Sequence, residues 1–298
     1  MTHAPVVLDL DGSVGPLHGE YRLALQGHQE ALRFACGLAT LHALVPTLDA
    51  QLPAPAAHGT VFMGSGDFHH LSWLLLTRQL RAVPPASKGV RVVVLDNHPD
   101  NMRLPWGVHC GSWVRRVALL PKVSHTYVVG ITSDDIGWRH SWENQLGPLR
   151  AGKLSYWSVG VDTSWSRWLG LAGAFRNFPD MQALIDAFAA LLRAQPKPTY
   201  LSIDKDVFAP EVVRTNWDQG RLQLPQALAL IDALRGQIVG SDVTGEVSSY
   251  RYRSAWKRWM SNLDGQDTAV SPDLLASWQA AQHALNERLL ACLNAARR

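Results

Sequence analysis

The stretch Val92-Val93-Val94-Leu95-Asp96-Asn97-His98-Pro99-Asp100 decides how the rest of the chain is read. Its first four residues are apolar and mostly β-branched, as in a strand buried on both faces of a parallel sheet. It closes on Asp-x-His-x-Asp. If the backbone stays extended there, Asp96, His98 and Asp100 project to one side, because side chains two apart share a face of a strand. Their donors would then converge at the carboxyl end of a buried strand, where open α/β sheets build their sites. The plain alternative is a pair of solvated carboxylates and a histidine in a turn.

Two further apolar runs end in a similar way. Thr199-Tyr200-Leu201-Ser202-Ile203 leads into Asp204-Lys205-Asp206, and Val61-Phe62-Met63-Gly64 into Ser65-Gly66-Asp67-Phe68-His69-His70. Asp96, Asp100, Asp204 and Asp206, with His98 and one of His69 or His70, form a donor set that two divalent ions would neutralise. Without cations such a cluster repels itself, and burying unpaired charge is costly. With two of them it generates a nucleophile from bound water.

In order, these elements resemble those of the arginase/agmatinase/formimidoylglutamase (ureohydrolase) family. The family's Gly-Gly-Asp-His, Asp-Ala-His-x-Asp and Ser-x-Asp-x-Asp elements stand here as Gly64-Ser65-Gly66-Asp67-Phe68-His69, Asp96-Asn97-His98-Pro99-Asp100 and Ser202-Ile203-Asp204-Lys205-Asp206. A His-Gly pair is matched loosely by His109-Cys110-Gly111, and a late Glu-Val by Glu246-Val247. The chain departs from the family twice. The first element carries an extra residue, which leaves His69 and His70 both open as the ligand. The Gly-Thr-rich loop after the third element is replaced by Arg214-Thr215-Asn216-Trp217-Asp218-Gln219-Gly220.

The resemblance implies a three-layer αβα fold with a mainly parallel sheet, and two divalent metal ions, manganese by donor type. It implies metal ligands at His69, Asp96, His98, Asp100, Asp204 and Asp206, and a metal-bridging hydroxide that attacks a C–N bond of a guanidino or amidino compound. His109 would move protons and Glu246 would hold a cationic substrate group by charge-assisted hydrogen bonds. Two alternatives stay open. One is a metal-binding scaffold without turnover, suggested by the altered loop. The other is a magnesium-dependent phosphatase, because Asp9-Leu10-Asp11-Gly12 follows an apolar run and resembles the haloacid-dehalogenase signature. Asp134-Asp135 could stand for that family's later acids.

Composition narrows the rest. The 47% hydrophobic and 18% charged content is that of a globular chain with a sizeable core. A formal net charge of +3 over 298 residues points to no polyanionic partner, so a small-molecule substrate is expected and no nucleic acid. The three cysteines, Cys36, Cys110 and Cys292, suggest no disulfide framework. No signal-peptide pattern or long apolar run stands out, so a cytoplasmic location and no membrane partner are expected.

Helical periodicity is expected over residues 27 to 43, through Leu32, Ala35, Leu38 and Leu41, with Pro46 breaking it. Asp67 is expected to cap a helix over Leu71 to Leu80. Strand and helix then alternate through Tyr127 to Ile131, Leu154 to Val159, residues 181 to 194, Thr199 to Ile203, a helix started by Pro225, and Ile238 to Val243. This argues for one domain over residues 1–298. The run from Tyr250 to Trp259 mixes bases with aromatics and is expected to be a surface helix with its rings packed down. Residues 273 to 296 form a long amphipathic helix, a layer on the sheet or a contact of a homo-oligomer. Trp106, Trp113, Trp138, Trp142 and Trp217 fall in loops near the site, as packing or as an aromatic wall.

Overall fold

The computed structural model describes residues 3–84, 89–263 and 271–297. Nine strands form one sheet: β1 (Val6–Asp9), β2 (Tyr21–Ala24), β3 (Val61–Phe62), β4 (Val90–Leu95), β5 (Val123–Ile131), β6 (Leu154–Val159), β7 (Phe175–Phe178), β8 (Thr199–Asp204) and β9 (Ile238–Thr244). Their spatial order is β2-β1-β3-β9-β8-β4-β5-β6-β7, and every neighbouring pair is parallel. The longer helices are α1 (Ser72–Arg81), α2 (Met181–Ala194), α3 (Leu224–Ala233), α4 (Ala255–Leu263) and α5 (Pro272–Ala296).

The period-two alternation of the buried strands feeds two separate cores. Val92 and Val94 face one with Leu74, Leu76 and Leu80 of α1, whereas Val93 and Leu95 face the other. That second core holds Leu184, Ile185 and Phe188 of α2, Leu230 and Ile231 of α3, and Leu285, Leu289 and Leu293 of α5. The result is the expected three-layer αβα arrangement. Helix α5 covers the chain's own sheet, and no described helix is long and apolar enough to cross a membrane.

Strands β3, β9, β8 and β4 sit side by side in the middle of the sheet. Being parallel, they deliver Gly64, Glu246, Asp204 and Asp96 to one edge. All three cysteines are free there and elsewhere.

Several local expectations needed correction. The chain around residues 27 to 43 is not one helix: Gln29–Leu32 and Leu38–Ala43 are separated by a short strand, Ala35–Cys36, paired with Val108–His109. Phe34, with φ 69°, breaks it, and burial explains why. Arg33 turns inward to Asp67 and Phe34 packs near Trp217 and Tyr252. Tertiary pairing outweighs local propensity there. Pro46 lies in the first turn of a helix, Val45–Gln51, a position that costs no backbone bond.

Asp67 does not cap a helix. Its own N–H is capped by the Ser65 hydroxyl, and its carboxylate is taken by the buried Arg33 guanidinium at 2.6 Å. The histidines sit in a 3-10 turn, Gly66–Leu71, ahead of α1. In the C-terminal region Tyr252 is buried as expected, whereas Trp256 and Trp259 on α4 are exposed.

Candidate metal centre

The strand carrying Val92 ends at Leu95, so Asp96, His98 and Asp100 do not share an extended face. They converge because the backbone turns. Asp96 accepts a 2.7 Å bond from the His98 N–H, and Asp100 takes a left-handed φ of 46°. A non-glycine residue there costs about 1–3 kcal/mol, a strain that persists only where the surroundings enforce it. The Trp113 indole N–H, 2.7 Å from Asp100 Oδ2, is one such constraint.

His69, not His70, faces this turn. His69 Nδ1 lies 3.2 Å from Asp96 Oδ2, 2.9 Å from Asp100 Oδ2 and 3.3 Å from Asp204 Oδ2. His70 points the other way, 3.9 Å from the Cys36 sulfur, and burial pulls its pKa down to about 3. The second group is built around His98. Its Nδ1 lies 2.9 Å from Asp206 Oδ2 and 3.6 Å from Asp96 Oδ1. In each of the groups His69/Asp96/Asp204 and Asp96/His98/Asp206, one donor atom per residue lies within 4.8 Å of the others. Asp96 belongs to both.

Hydrogen bonds behind the two rings set their tautomers. Ser202 donates its hydroxyl to Asp242 Oδ1 at 2.6 Å, so it accepts from His69 Nε2 at 2.9 Å. The proton of neutral His69 therefore sits on Nε2, and the Nδ1 lone pair points at three carboxylates. Asp242 is held in turn by Tyr200 and Ser72. At the second ring, Asp218 Oδ1 takes His98 Nε2 at 2.6 Å and leaves Nδ1 for the centre.

These groups fit divalent cations. A lone pair aimed at anions is unfavourable unless a cation, a proton or a metal ion, lies between them; burial opposes a charged His69, yet the Asp100 and Asp96 carboxylates hold its pKa well above the ordinary imidazole value. The spacings of 2.9, 3.2 and 3.3 Å around His69 match the ~3 Å between adjacent ligands on an ion with bonds of ~2.1 Å. Electrostatics agrees. Burial, reinforced by the Asp96 charge, pushes Asp100 and Asp206 up to about 7, and burial with the Asp206 charge holds Asp204 well above the usual carboxylate range. All four carboxylates cannot stay ionised without compensating charge. Two adjacent His/Asp groups that could hold two metal ions are thus present.

His109 lines the same cleft, and burial pulls its pKa down to about 4 despite the nearby Asp67 charge. It is neutral near pH 7, and Nδ1 accepts from the Gly111 N–H at 2.9 Å, which leaves the proton on Nε2. The Cys110 sulfur is 3.8 and 3.7 Å from the two ring nitrogens. That near-equal spacing puts it over the ring, not in line with a lone pair.

Glu246 is placed differently from the expectation. Its Oε1 is held by Lys205 Nζ at 2.6 Å and by Asn286 Nδ2 at 2.6 Å, and Asn286 also accepts from Lys205 at 3.0 Å. All of this is buried, and Glu246 does not line the cleft. A Cβ on Gly245, whose φ is 93°, would stand 2.5 Å from Asp204 Oδ1, so glycine permits the close approach of the two strands. Asp9 and Asp11 are also elsewhere. Asp11 is tied to Ser13, Ser248 and Arg33, and Asp9 to Gln26 and Arg22. Neither lines the cleft.

The cleft measures ≈ 480 Å³ and includes Met102, His140, Glu143 and Asp218, which have no assigned role in the sequence reading, and Asp135, which that reading offers only to the phosphatase alternative. Asp218 was visible only as an acid in the altered loop. Asp242 carried a clearer signal, a carboxylate inside an apolar strand, which needs a buried partner. Of the loop tryptophans, Trp217 lines the cleft and Trp113 is buried near His69, whereas Trp106, Trp138 and Trp142 are exposed.

Ser202→Ala should remove the brace on His69 without touching a metal donor. Manganese affinity at one position is expected to fall ~10–100-fold, the usual effect of losing such a partner. A manganese titration unchanged from the parent protein would refute the brace.

No family model matches the chain. An uncharacterised protein of Thermotoga maritima is 25% identical over 214 residues, 72% of this chain. The match spans 66% of that protein's own length, just under two thirds. Among solved structures, the agmatine ureohydrolase of Thermoplasma volcanium aligns over 99% of this chain and 89% of its own, with a TM-score of 0.53 and 15% identity. A Trypanosoma cruzi formiminoglutamase with Mn2+ aligns over 93% of this chain and 75% of its own, with a TM-score of 0.50 and 16% identity. The chain thus has the arginase-like α/β fold across its whole length, at low sequence identity.

Proposed function

We propose that this chain, as one arginase-like domain over residues 1–298, is a two-metal hydrolase that cleaves a C–N bond of a guanidino or amidino compound. The observation that carries the reading is the pair of His/Asp groups sharing Asp96 at the carboxyl ends of the central strands. Asp100 adds its Oδ2 to the first group. The oxygen-rich donor set with one imidazole per group suits manganese.

When bound, two such ions supply a water of lowered pKa as nucleophile and polarise the group under attack. The chain's own residues do the rest. Asp96, Asp100, Asp204 and Asp206 hold the ions, and the Ser202 and Asp218 braces keep the imidazoles turned toward them. His109, neutral with its proton on Nε2, donates a hydrogen bond to the departing nitrogen and relays a proton only after first taking one up. Trp217 and Met102 give the cleft an apolar wall for the carbon chain.

One observation favours a second reading. Glu246 pairs through Oε1 with Lys205 and does not line the cleft, so it brings no carboxylate to a substrate cation there, as a metal-holding scaffold without turnover would allow. Urea or ammonia release from a panel of guanidino and amidino compounds, with and without manganese, separates the two. Manganese-dependent release is expected, reduced ~10²–10⁴-fold in His109→Ala with metal content unchanged. Folded protein holding two ions but releasing neither product from any compound would leave the scaffold reading.

A further inference from the structure

Another cavity, of ≈ 420 Å³, lies toward the amino ends of β5, β6 and β7, at the opposite edge of the sheet from the metal centre. Its lining includes His125 and Tyr127 of β5, Trp157 of β6, Arg176 of β7 and Leu191 near the end of α2. Arg150 joins them from the helical turn ahead of β6. The volume falls within the ~300–1,000 Å³ of small-molecule sites. The chain's own atoms leave the space open, because a Cβ on the lining residues Gly152, Gly170 or Gly173 would meet nothing within 4 Å.

Its chemistry is the reverse of the metal cleft's. No aspartate or glutamate is among its described lining residues. Neither the Arg150 nor the Arg176 guanidinium has an acid or a hydrogen-bond acceptor among the described residues. Arg176 is instead held over the Trp157 ring, 5.3 Å from its centre. Two uncommitted guanidiniums on one cavity favour an oxyanion, which their planar forks pair through two hydrogen bonds. His125 is already committed. Its Nδ1–H donates to the Gly152 carbonyl at 3.0 Å, and Nε2 accepts from the Ser155 hydroxyl at 2.9 Å. Burial pulls the His125 pKa down against that carbonyl bond, and the Lys153 and Lys197 charges lower it further, a mark of positive potential here. The remaining wall is aromatic and aliphatic. Tyr127 and Trp157 meet edge to face with ring centres 6.5 Å apart, beside Leu171 and Leu191. The Tyr127 hydroxyl has no hydrogen-bond partner among the described residues, and the Trp157 indole N–H is buried without one. A buried donor left unpaired is rare, so the lining holds polar groups that the protein does not satisfy.

We infer that this cavity binds a small organic oxyanion, a carboxylate or phosphate carried on a flat aromatic body. Arg150 and Arg176 pair the anionic group, and Tyr127, Trp157 and the leucines receive the ring. The site shares no lining residue with the metal cleft, so it goes beyond the proposed hydrolase and is tested apart from it.

The full-length protein is titrated by calorimetry with naphthalene-2-carboxylate, 2-naphthyl phosphate and naphthalene-2-methylammonium. A chelator is present throughout, so that no ion in the metal centre offers the anions a second place to bind. The three probes share one ring system and differ in the charged group. At least one anion is expected to bind at least tenfold tighter than the cation, and the better anion tells a carboxylate site from a phosphate site. Arg150 and Arg176 are exposed, so Arg150→Gln and Arg176→Gln should stay folded by circular dichroism. Each should weaken the better anion about tenfold or more, the usual effect of losing one charge-assisted pair. Binding of neither anion, a cation that binds as tightly as both, or an anion affinity unchanged in either variant would each overturn the inference. An unchanged affinity would place the anion elsewhere, as on the exposed Trp138 or Trp142. No outcome depends on manganese, so each leaves the metal-centre reading where it stands.

Discussion

Asp96→Asn should abolish both candidate metal positions together, leaving well under one manganese ion per chain after loading. Asp96 is the residue common to the two donor groups. Its Oδ2 faces His69 Nδ1 at 3.2 Å, and its Oδ1 stands 3.6 Å from His98 Nδ1. Asparagine keeps the shape but loses the charge that either ion would need. Loss of an outer brace already costs ~10–100-fold in affinity, so loss of a shared ligand should exceed ~100-fold for each position. Any manganese-dependent hydrolysis should vanish with the metal. The metal-free protein should remain folded, because one of four mutually repelling carboxylates has been neutralised. Elemental analysis after loading, beside circular dichroism, checks both points. A variant that keeps two ions would sink the shared-ligand assignment, whereas His69→Ala is expected to lose one position and weaken the other.

Lys205→Met is the second large effect, and it falls on stability. Lys205 is fully buried between two acids of the centre, and its ammonium pairs with Glu246 at 2.6 Å. Methionine fills the space but leaves the Glu246 carboxylate buried without its cation. Breaking a buried pair from one side typically costs ~3–5 kcal/mol. For a chain of this size that lowers Tm by about 10 °C, at roughly 2–4 °C per kcal/mol. Adding Glu246→Gln should restore much of the loss, since the amide can keep a bond to Asn286 without a stranded charge. Thermal melts of the two single variants and the double variant measure this coupling. A double variant as unstable as the sum of the singles would show that the pair contributes nothing as a pair. If Glu246→Gln alone changed the affinity for a cationic ligand at full metal content, Glu246 would have to reach the cleft after all.

Much of the metal centre was legible because its donors follow apolar strand segments in a fixed order. Strands are short, and their ends are marked by the switch from Val and Ile to Asp, Gly and Ser. A parallel sheet then brings all such ends to one edge. What remained hidden depends on directions that sequence spacing does not contain. His69 and His70 are equivalent in the sequence, and only the 3-10 turn from Gly66 to Leu71 aims one at the carboxylates and the other at Cys36. Arg33 and Phe34 fall inside the helix expected over residues 27 to 43, yet a buried bond from Arg33 to Asp67 outweighs it.

The sequence by itself determined the seven inner strands, their two apolar faces and the acids that meet at their ends, but not the edge strands Tyr21–Ala24 and Phe175–Phe178, which bury few residues. Strand alternation and strand-end chemistry are local properties, written in neighbouring residues. Only the tertiary structure decided what each acid is paired with. Glu246 follows its strand as expected, but Lys205, forty-one positions earlier (246 − 205), takes its charge before any substrate could. Asp135 and Glu143 lie in the connection after β5 and Asp218 in the one after β8, and they become one cleft wall only when β5, β4 and β8 stand side by side. Charge acts through space at a few ångströms, and the chain order does not encode those distances.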